Sequence, residues 1–241
     1  MSLPDVVTRE RWLEARKALL AKEKALTRER DALNAERRRM PMVKVEKEYV
    51  FTGPEGEASL LDLFEGRMQL ILGHFMFDPE WQDGCPSCSA GADEMAQGLL
   101  EHLHARDTTL VQVSRAPIEK IERYKAKKGW TFPWYSSGDG DFNYDFDVTL
   151  DSDVKPMEFN YREAPHEWEA SEQPFDMPGT SCFLRDGDRV FHTYASYARG
   201  AEWTGGSYAY LDLTALGRQE DWEEPKGRAD FARGNQPDFA S

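Results

Sequence analysis

The chain has 241 residues, of which 40% are hydrophobic and 12% aromatic. This composition supplies enough apolar side chains for the core of one large domain and excludes a disordered chain. Thirty basic side chains against 44 acidic ones give a formal net charge of −14, so we expect no nucleic-acid partner.

The beginning of the chain lacks the pattern of a targeting segment. Met1–Thr8 has no basic stretch followed by an apolar core, and the most apolar run, Met68–Phe77, is interrupted by Gln69, Gly73 and His74. We therefore expect no signal peptide, no membrane span and a cytoplasmic protein. Three cysteines in a chain of this length do not make a secreted disulfide framework.

The first predicted element is a long N-terminal helix. Thr8 to Arg39 contains neither glycine nor proline, Thr8 can cap the first turn, and Pro41 ends the helix. Residues 1–39 carry 11 basic and 7 acidic side chains, whereas the rest of the chain carries 19 and 37. Two interpretations stay open: an amphipathic arm packed on its own body, or a basic arm that clasps the acidic body of a second subunit. The apolar residues of this helix recur every seven positions, at Trp12, Leu19, Leu26, Leu33 and Met40.

Beyond Pro41 the pattern is that of a mixed α/β domain. Val43–Thr52 alternates like a strand, Ser59–Phe64 indicates a helical turn, and Met68–Phe77 indicates a buried central strand. A helix is predicted over residues 86–105. The elements predicted next are a strand at Thr108–Ser114, a helix at Pro117–Lys128 stopped by Gly129, a strand at Trp130–Tyr135 and an aromatic segment at Phe142–Val148. This βαβα order requires a parallel pair of strands.

The C-terminal part contains a predicted insertion and a hairpin. Residues 151–178 are polar and rich in proline and acid, which is typical of an inserted loop. Residues 181–185 and 189–194 form a hairpin that turns at residues 186–188. A last helix is predicted to begin near Gly206. The predicted organisation is an arm at residues 1–40, a domain at residues 41–216 and a loosely held tail at residues 217–241.

The motif that carries chemistry is the tetrapeptide Cys85-Pro86-Ser87-Cys88. It follows the buried strand, and Pro86 suits the first position of a helix because its missing amide hydrogen costs nothing there. Cys85 then caps the helix, where the unpaired amides and the helix dipole stabilise a thiolate. Cys88 lies one turn further on and can resolve a mixed disulfide. This dithiol needs no cofactor.

Two alternatives to redox chemistry are a metal site and a dithiol without catalytic function. A Cys-x-x-Cys pair can be half of a tetrahedral zinc site, but none of the other cysteines and histidines is spaced as a second pair of ligands. We therefore predict no metal site. A non-catalytic assembly protein, with a silent or zinc-holding dithiol, remains the alternative of another class.

At this point the sequence resembles the thioredoxin-like fold as elaborated in peroxiredoxins. The resemblance rests on the strand, Cys-x-x-Cys, helix, strand, helix order and on the block Phe183-Leu184-Arg185-Asp186-Gly187. More closely, the chain resembles the family catalogued as domain of unknown function 899, described as predicted dithiol-disulfide oxidoreductases. The blocks that carry this likeness include residues 74–77, 85–88, 114–117, 129–134, 142–146 and 194–200. The resemblance implies a thioredoxin-like (peroxiredoxin-type) sheet flanked by helices and a dithiol activity.

The chain departs from these relatives around the dithiol. Trp81 stands four positions before Cys85, whereas thioredoxins place a tryptophan directly before the first cysteine. The position where thioredoxin-like proteins present a cis-proline falls on Thr180, with Pro178 two residues earlier. Asp78 and Gln82 replace the proline and threonine with which peroxiredoxins position peroxide, which disfavours efficient peroxide reduction.

Three further residues are candidates for a role near the dithiol. His74 is either a satisfied core histidine or a polar neighbour of the thiols. Arg115 follows a strand at the carboxyl edge of the sheet and could stabilise the Cys85 thiolate or bind an anion. Cys182 is predicted to be a buried strand cysteine, with a third redox thiol as the alternative.

The sequence thus predicts a thiol-disulfide oxidoreductase in which Cys85 is the nucleophile and Cys88 the resolving thiol. Its substrate would be an oxidised thiol or a disulfide, and its partner a reducing thiol. A homodimer or higher oligomer is expected through the N-terminal arm. A peroxiredoxin-like thiol peroxidase, in which Cys85 passes through a sulfenic acid, is the alternative within the same enzyme class.

Overall fold

The computed structural model describes residues 4–96 and 98–204. The chain divides into two compact units, and of the described residues those up to Pro41 belong to one and those from Met42 onward to the other. No helix in the described ranges is long and apolar enough to cross a membrane. The helix predicted near Gly206 and the tail at residues 217–241 lie outside the described residues.

The N-terminal unit contains the predicted long helix, α1 (Arg9–Arg37). Thr8 caps it, because its side-chain oxygen accepts a hydrogen bond from the Arg11 amide at 3.4 Å. None of the residues of α1 is buried. The apolar side chains at seven-residue spacing are exposed, with Leu26 at 63% the most open of them.

The second unit is built from short strands and four helices within the described residues. Its strands are β1 (Val43–Lys44), β2 (Val50–Gly53), β3 (Gly56–Ser59), β4 (Gln69–His74), β5 (Thr108–Ser114), β6 (Trp134–Ser136), β7 (Thr149–Leu150), β8 (Glu158–Phe159), β9 (Arg162–Glu163), β10 (Phe175–Asp176), β11 (Gly179–Asp186) and β12 (Arg189–Tyr197). Its helices are α2 (Pro86–Asp93), α3 (Leu99–His104), α4 (Ile118–Lys128) and α5 (Phe142–Asp145). Short 3-10 turns lie at Asp62–Phe64, His166–Ala170 and Ala198–Thr204.

One sheet of eight strands organises the described part of this unit, in the order β1-β12-β11-β4-β5-β6-β2-β3. The apolar strand β4 is central, as its sequence predicts. It pairs in parallel with β5 and antiparallel with β11, and β5 pairs in parallel with β6. Along the chain, α2 and α3 lie between the parallel strands β4 and β5. The antiparallel hairpin β11–β12 continues the sheet on the other side of β4. This connectivity is that of a thioredoxin-like α/β fold, so the predicted fold class is confirmed.

The core lies against the strands that lead to the dithiol. Leu70 and Leu72 of β4 pack in one cluster with buried aromatic residues of neighbouring elements. A second cluster surrounds Trp134 at the ends of β4 and β5 and includes the buried ring of Phe77. Cys88 packs against this second cluster, so the helix that carries the dithiol is fixed by the core.

Two predicted elements are divided in the structure. The helix expected over residues 86–105 forms α2 and α3, because Gly98 adopts a left-handed backbone with φ 99° that interrupts the helix. The strand expected over Val43–Thr52 forms β1 and β2, because this segment crosses from one edge of the sheet, where β1 lies, to the opposite side, where β2 lies between β6 and the edge strand β3. Edge position cannot be read from alternation alone.

The polar stretch at residues 151–178, predicted as an inserted loop, has structure of its own. It contains β8, β9 and β10, and β10 pairs with β7. Met157 and Phe159 are buried there with residues of β7 and β12. A few apolar residues are enough to order this polar stretch, because each is large and lies close to a strand of the main sheet.

Candidate functional site

The dithiol occupies the position that its sequence predicts, at the start of α2. Cys85 is the N-cap residue, and Pro86 takes the first helical position. The Cys85 amide donates to the Met76 carbonyl at 2.9 Å, and its carbonyl accepts from the Ser89 amide at 2.9 Å. Both backbone groups of Cys85 are therefore held, which fixes its sulfur at the helix N-terminus.

The Cys85 thiolate is stabilised by its neighbours. The Cys88 thiol, by donating a hydrogen bond, makes the largest contribution, and it lowers the pKa of Cys85 to about 6. Burial opposes this shift, and the backbone amides of Cys88 and Ser87 add to it. These amides are unpaired donors of the first helical turn, so the arrangement follows from the position of Cys85 before the helix.

Cys88 is shifted in the opposite direction. Its hydrogen bond to Cys85 and its burial raise the pKa of Cys88 well above the ordinary value of a thiol, and the negative charges of Cys85 and Asp176 raise it further. The surroundings therefore favour ionisation of Cys85 and disfavour ionisation of Cys88. None of the three cysteines, all of which lie within the described residues, forms a disulfide bond in the structure.

Cys182 lies in the middle of β11, where it faces Ile71 of β4 and Tyr194 of β12 in register. It is half-buried rather than fully buried. Its carbonyl accepts a hydrogen bond from the Thr193 hydroxyl at 3.0 Å. This placement agrees with the prediction of a strand cysteine.

Arg115 lies directly after β5 and is almost fully buried, with 7% of its surface exposed. Its Nε donates to Asp176 at 2.7 Å, and its terminal nitrogen donates to Asp78. Asp78 belongs to the segment between β4 and Cys85, and Asp176 belongs to β10, just before β11. Arg115 therefore joins the segment before Cys85 to β10, and its charge is matched by two carboxylates.

The segment that precedes Cys85 is tied to α4 and exposes a tryptophan. Lys120 donates to the carbonyls of Pro79 and Trp81, the latter at 2.8 Å, and Lys127 pairs with Asp83 at 2.8 Å. The side chain of Trp81 is 40% exposed. An exposed aromatic side chain four residues before Cys85 offers an apolar contact for an incoming group.

His74 is a buried neutral histidine at the end of β4. Its Nε2 shares a hydrogen bond of 2.8 Å with the Ser181 hydroxyl, and its ring contacts those of Phe142 and Phe146. Burial, with a smaller contribution from His192, lowers the pKa of His74 to about 3. His74 is therefore a core histidine, but it is not fully satisfied, because its Nδ1 is buried without a hydrogen-bond partner in the described part of the chain.

Thr180 is the second residue of β11 and pairs in register with Gly73 of β4. Among the described residues, the cis peptide bond lies between Gln173 and Pro174. In the same part of the chain, no cluster of three or more His, Cys, Asp or Glu side chains could hold a metal ion.

Two polar residues of the site escaped the sequence analysis. Asp176 lies in the acidic stretch at residues 151–178, where nothing distinguishes it from its neighbours. Lys120 is one of several lysines on α4. Only their partners, far away in sequence, give these two residues their importance: Arg115 for Asp176, and the carbonyls of the segment before Cys85 for Lys120. The one signal for Asp176 is Arg115 itself, because a buried arginine requires an anionic partner.

A thioredoxin-like fold with a Cys-x-x-Cys dithiol at the N-terminus of the helix after its central strand defines the class of this protein. The chain belongs to the family described as "Bacterial protein of unknown function (DUF899)", whose model matches residues 1–235. No protein with a curated description matches the sequence significantly.

Several solved structures are similar to this chain. The bacterioferritin comigratory protein of Xanthomonas campestris, studied for alkyl peroxide reduction, is 15% identical with a TM-score of 0.47; the match covers 64% of this chain and 84% of that one. Peroxidoxin BcpB of Mycobacterium tuberculosis is 15% identical with a TM-score of 0.42, covering 68% and 92%. The reduced 2-Cys peroxiredoxin of Plasmodium vivax is 14% identical with a TM-score of 0.40, covering 66% and 82%.

Proposed function

We propose that the protein is a thiol-disulfide oxidoreductase. The observation that carries this proposal is the position of the dithiol, with Cys85 as the N-cap of α2 and Cys88 one turn inside the helix. This position goes with a pKa of Cys85 lowered to about 6 and a raised pKa of Cys88. A thiolate is the nucleophile in disulfide exchange, and the thiol beside it is kept protonated until it is needed.

The reaction proceeds in two exchanges. The Cys85 thiolate attacks one sulfur of an oxidised substrate, the substrate S–S bond breaks, and a substrate thiolate leaves. Cys88 then loses its proton and attacks the Cys85 sulfur, which releases the second substrate thiolate and leaves a Cys85–Cys88 disulfide. Two electrons pass from the dithiol to the substrate. A reducing thiol partner restores the dithiol by the reverse exchange.

The redox midpoint of the dithiol tests this proposal. The protein is equilibrated with mixtures of reduced and oxidised glutathione, and the free thiols are alkylated and counted by mass. We expect a reversible two-electron transition that Cys85→Ser and Cys88→Ser each abolish and that Cys182→Ser leaves in place. A potential near −270 mV, about that of thioredoxin, would indicate a reductase, and one near −120 mV would indicate an oxidant. If both thiols stay unpaired across the range, the proposal is wrong.

Reduction of a hydroperoxide is the second candidate, because a thiolate with a neighbouring thiol also suits sulfenic acid chemistry. Against it, Arg115 is engaged by Asp78 and Asp176, and its charge is matched before any peroxide arrives. Rapid, saturable consumption of peroxide that requires Cys85 would favour the peroxidase.

We also propose that α1 joins two copies of the chain. Its apolar residues at seven-residue spacing are exposed, and its basic excess is opposite to the charge of the remaining chain. Removal of residues 1–39 tests this idea by sedimentation at low and high salt. We expect the full chain to sediment as a dimer and the truncated chain as a monomer. An unchanged assembly, apart from the lost mass, would refute the role of the arm.

A further inference from the structure

The chain around the dithiol is acidic and lacks basic residues. No lysine or arginine occurs between Arg67 and Arg106, although the whole chain has thirty of them. Cys85 and Cys88 lie in the middle of this stretch, so the segment that carries the reactive sulfurs is negative by itself. The acidic side chains that flank the two cysteines are Asp78, Glu80, Asp83, Asp93 and Glu94.

The fold keeps the acids that precede Cys85 close to its sulfur. The Cys85 amide donates to the Met76 carbonyl at 2.9 Å, and this bond closes residues 77–84 into a loop. Asp83 stands two positions before Cys85, so their Cα atoms are at most about 7 Å apart. Glu80 and Asp83 are both exposed. Their carboxylates therefore lie at the surface of the loop that leads into the reactive cysteine.

Four basic side chains from other elements bind this region within the described residues, and each is engaged by a carboxylate or a backbone carbonyl. Arg115 is matched by two carboxylates, of which Asp176 comes from β10, and Lys120 donates to two carbonyls of the loop. Lys127 pairs with Asp83 at 2.8 Å. The remaining pair is Lys128 with Asp93, at 3.2 Å. With Asp176, six carboxylates thus face four cations, and the surroundings of the dithiol stay negative.

The groups that stabilise the Cys85 thiolate are uncharged. The Cys88 thiol makes the largest contribution to the lowered pKa of Cys85, and the backbone amides of Cys88 and Ser87 add to it. An anionic disulfide would therefore approach a thiolate that has carboxylates around it and no cation to hold the incoming charge. A cationic disulfide would be attracted by the thiolate and by the carboxylates alike.

The exposed ring of Trp81 is a second feature that suits a cation. Its side chain is 40% exposed, and its carbonyl accepts a hydrogen bond from Lys120 at 2.8 Å, which holds the backbone at this position. The face of a tryptophan ring attracts ammonium and guanidinium groups. An aromatic face and carboxylates on one short loop therefore both favour a positively charged group.

We propose that the dithiol selects disulfides that carry ammonium or guanidinium groups beside the S–S bond, and that it disfavours anionic disulfides. This inference rests on the proposed function and names its class of substrate. The cationic group lies against Trp81 and the carboxylates of Glu80 and Asp83 while the Cys85 thiolate attacks the nearer sulfur. One half of the substrate becomes bonded to Cys85, and the other half leaves as a thiolate with the electron pair of the S–S bond.

Three small disulfides of similar length test this selection: cystamine is cationic, dithiodipropionate is anionic and hydroxyethyl disulfide is neutral. Cys182→Ser protein is mixed with each, and the loss of its free thiols is followed by acid quenching, alkylation and mass. Because the leaving thiols differ in intrinsic reactivity, each rate is divided by the rate of 2-mercaptoethanol with the same disulfide. We expect the normalised rate with cystamine to exceed that with dithiodipropionate by about tenfold at low salt, and this ratio to fall at high salt.

Two substitutions remove the local features one at a time. Glu80→Gln should lower the ratio by about twofold, and Trp81→Leu should slow the reaction with cystamine but leave that with the neutral disulfide within about twofold. Glu57→Gln is the matched control, because it removes the same charge from β3, four strands away from β4 in the sheet. A ratio of one or less at low salt, or one that Glu57→Gln lowers as much as Glu80→Gln does, would overturn the inference.

A pair of peptide disulfides distinguishes the two sources of such a substrate. In one peptide two lysines flank the disulfide, and in the other two glutamates, and we expect the lysine peptide to react faster. A preference larger than that among the small disulfides would assign the selection to protein substrates, and a smaller one to free amine disulfides, whereas the reverse order would overturn the inference. If Cys85 does not react even with the neutral disulfide, the proposed function itself fails.

Discussion

At the scale of single residues, the chemistry of this protein depends on the difference between two identical side chains. Cys85 and Cys88 share one hydrogen bond, yet the pKa of one thiol falls and that of the other rises. The difference arises chiefly because the Cys88 thiol donates a hydrogen bond to Cys85, which lowers the pKa of Cys85 and raises that of Cys88. The free amides at the start of α2 lower the pKa of Cys85 further, and burial raises that of Cys88. This asymmetry favours Cys85 as the nucleophile of the proposed exchange.

The hydrogen bond from Cys88 is expected to set most of the Cys85 shift. In Cys182→Ser protein, the rate of Cys85 alkylation by iodoacetamide should rise with pH and reach its midpoint near 6. Cys88→Ala removes the donor and should move the midpoint toward the ordinary value of a thiol, whereas Cys88→Ser keeps a donor and should move it less. A midpoint unchanged in Cys88→Ala would mean that the helix amides dominate.

At the scale of elements, α2 and α4 show how single residues fix the limits of the helices around the site. Pro86 begins α2 directly after Cys85. Gly129 ends α4 in the left-handed conformation with φ 71°, as its sequence predicts. The lysines that hold the segment before Cys85 lie on α4, so its length determines which of them reach that segment.

Two glycines in open space give a matched test of this helix geometry. Neither Gly129 nor Gly91 of α2 has an atom within 4 Å of where a Cβ would be, but only Gly129 has a positive φ. We expect Gly129→Ala to lower the free energy of unfolding by about 1 kcal/mol because of backbone strain. Gly91→Ala should raise it by about 0.5–1 kcal/mol because alanine favours a helix. Denaturant unfolding measures both, and changes of equal sign would contradict this explanation.

At the scale of the whole molecule, burial of polar groups makes stability depend on pH. His74 is neutral in the fold, because its pKa there is about 3, while in the unfolded chain it has the ordinary value of about 6.5. Between these values the unfolded chain binds a proton that the folded chain does not, so the free energy of unfolding rises with pH. This contribution is complete above about pH 6.5 and is lost as the pH falls. Burial also lowers the pKa of His192, which adds in the same direction.

We therefore expect stability to decrease on acidification from pH 6.5 to 5.5 by about 1 kcal/mol through His74. His74→Asn should lower the stability at neutral pH but reduce its slope over this interval, as measured by denaturant unfolding at several pH values. His102→Asn, at an exposed position of α3, is the control and should retain the slope. An unchanged slope in His74→Asn would show that other groups cause the acid sensitivity.

Much of the fold was predictable because its signals are local. The apolar run of β4, the glycine stop of α4, the capped start of α1 and the turn of the β11–β12 hairpin each depend on a few adjacent residues. The division of residues 86–105 into two helices was missed because an isolated glycine is tolerated in many helices, and only tertiary packing decides its conformation.

The sequence by itself determined that a dithiol follows a central strand and begins a helix, because proline, cysteine and the apolar run are neighbours in the chain. Only the tertiary structure decided what surrounds the two thiols. Asp176 meets Arg115 across 61 positions, and Asp78 meets it across 37. Such pairs leave no pattern in the sequence, because charged residues are common there and become significant only when folding buries them against one another.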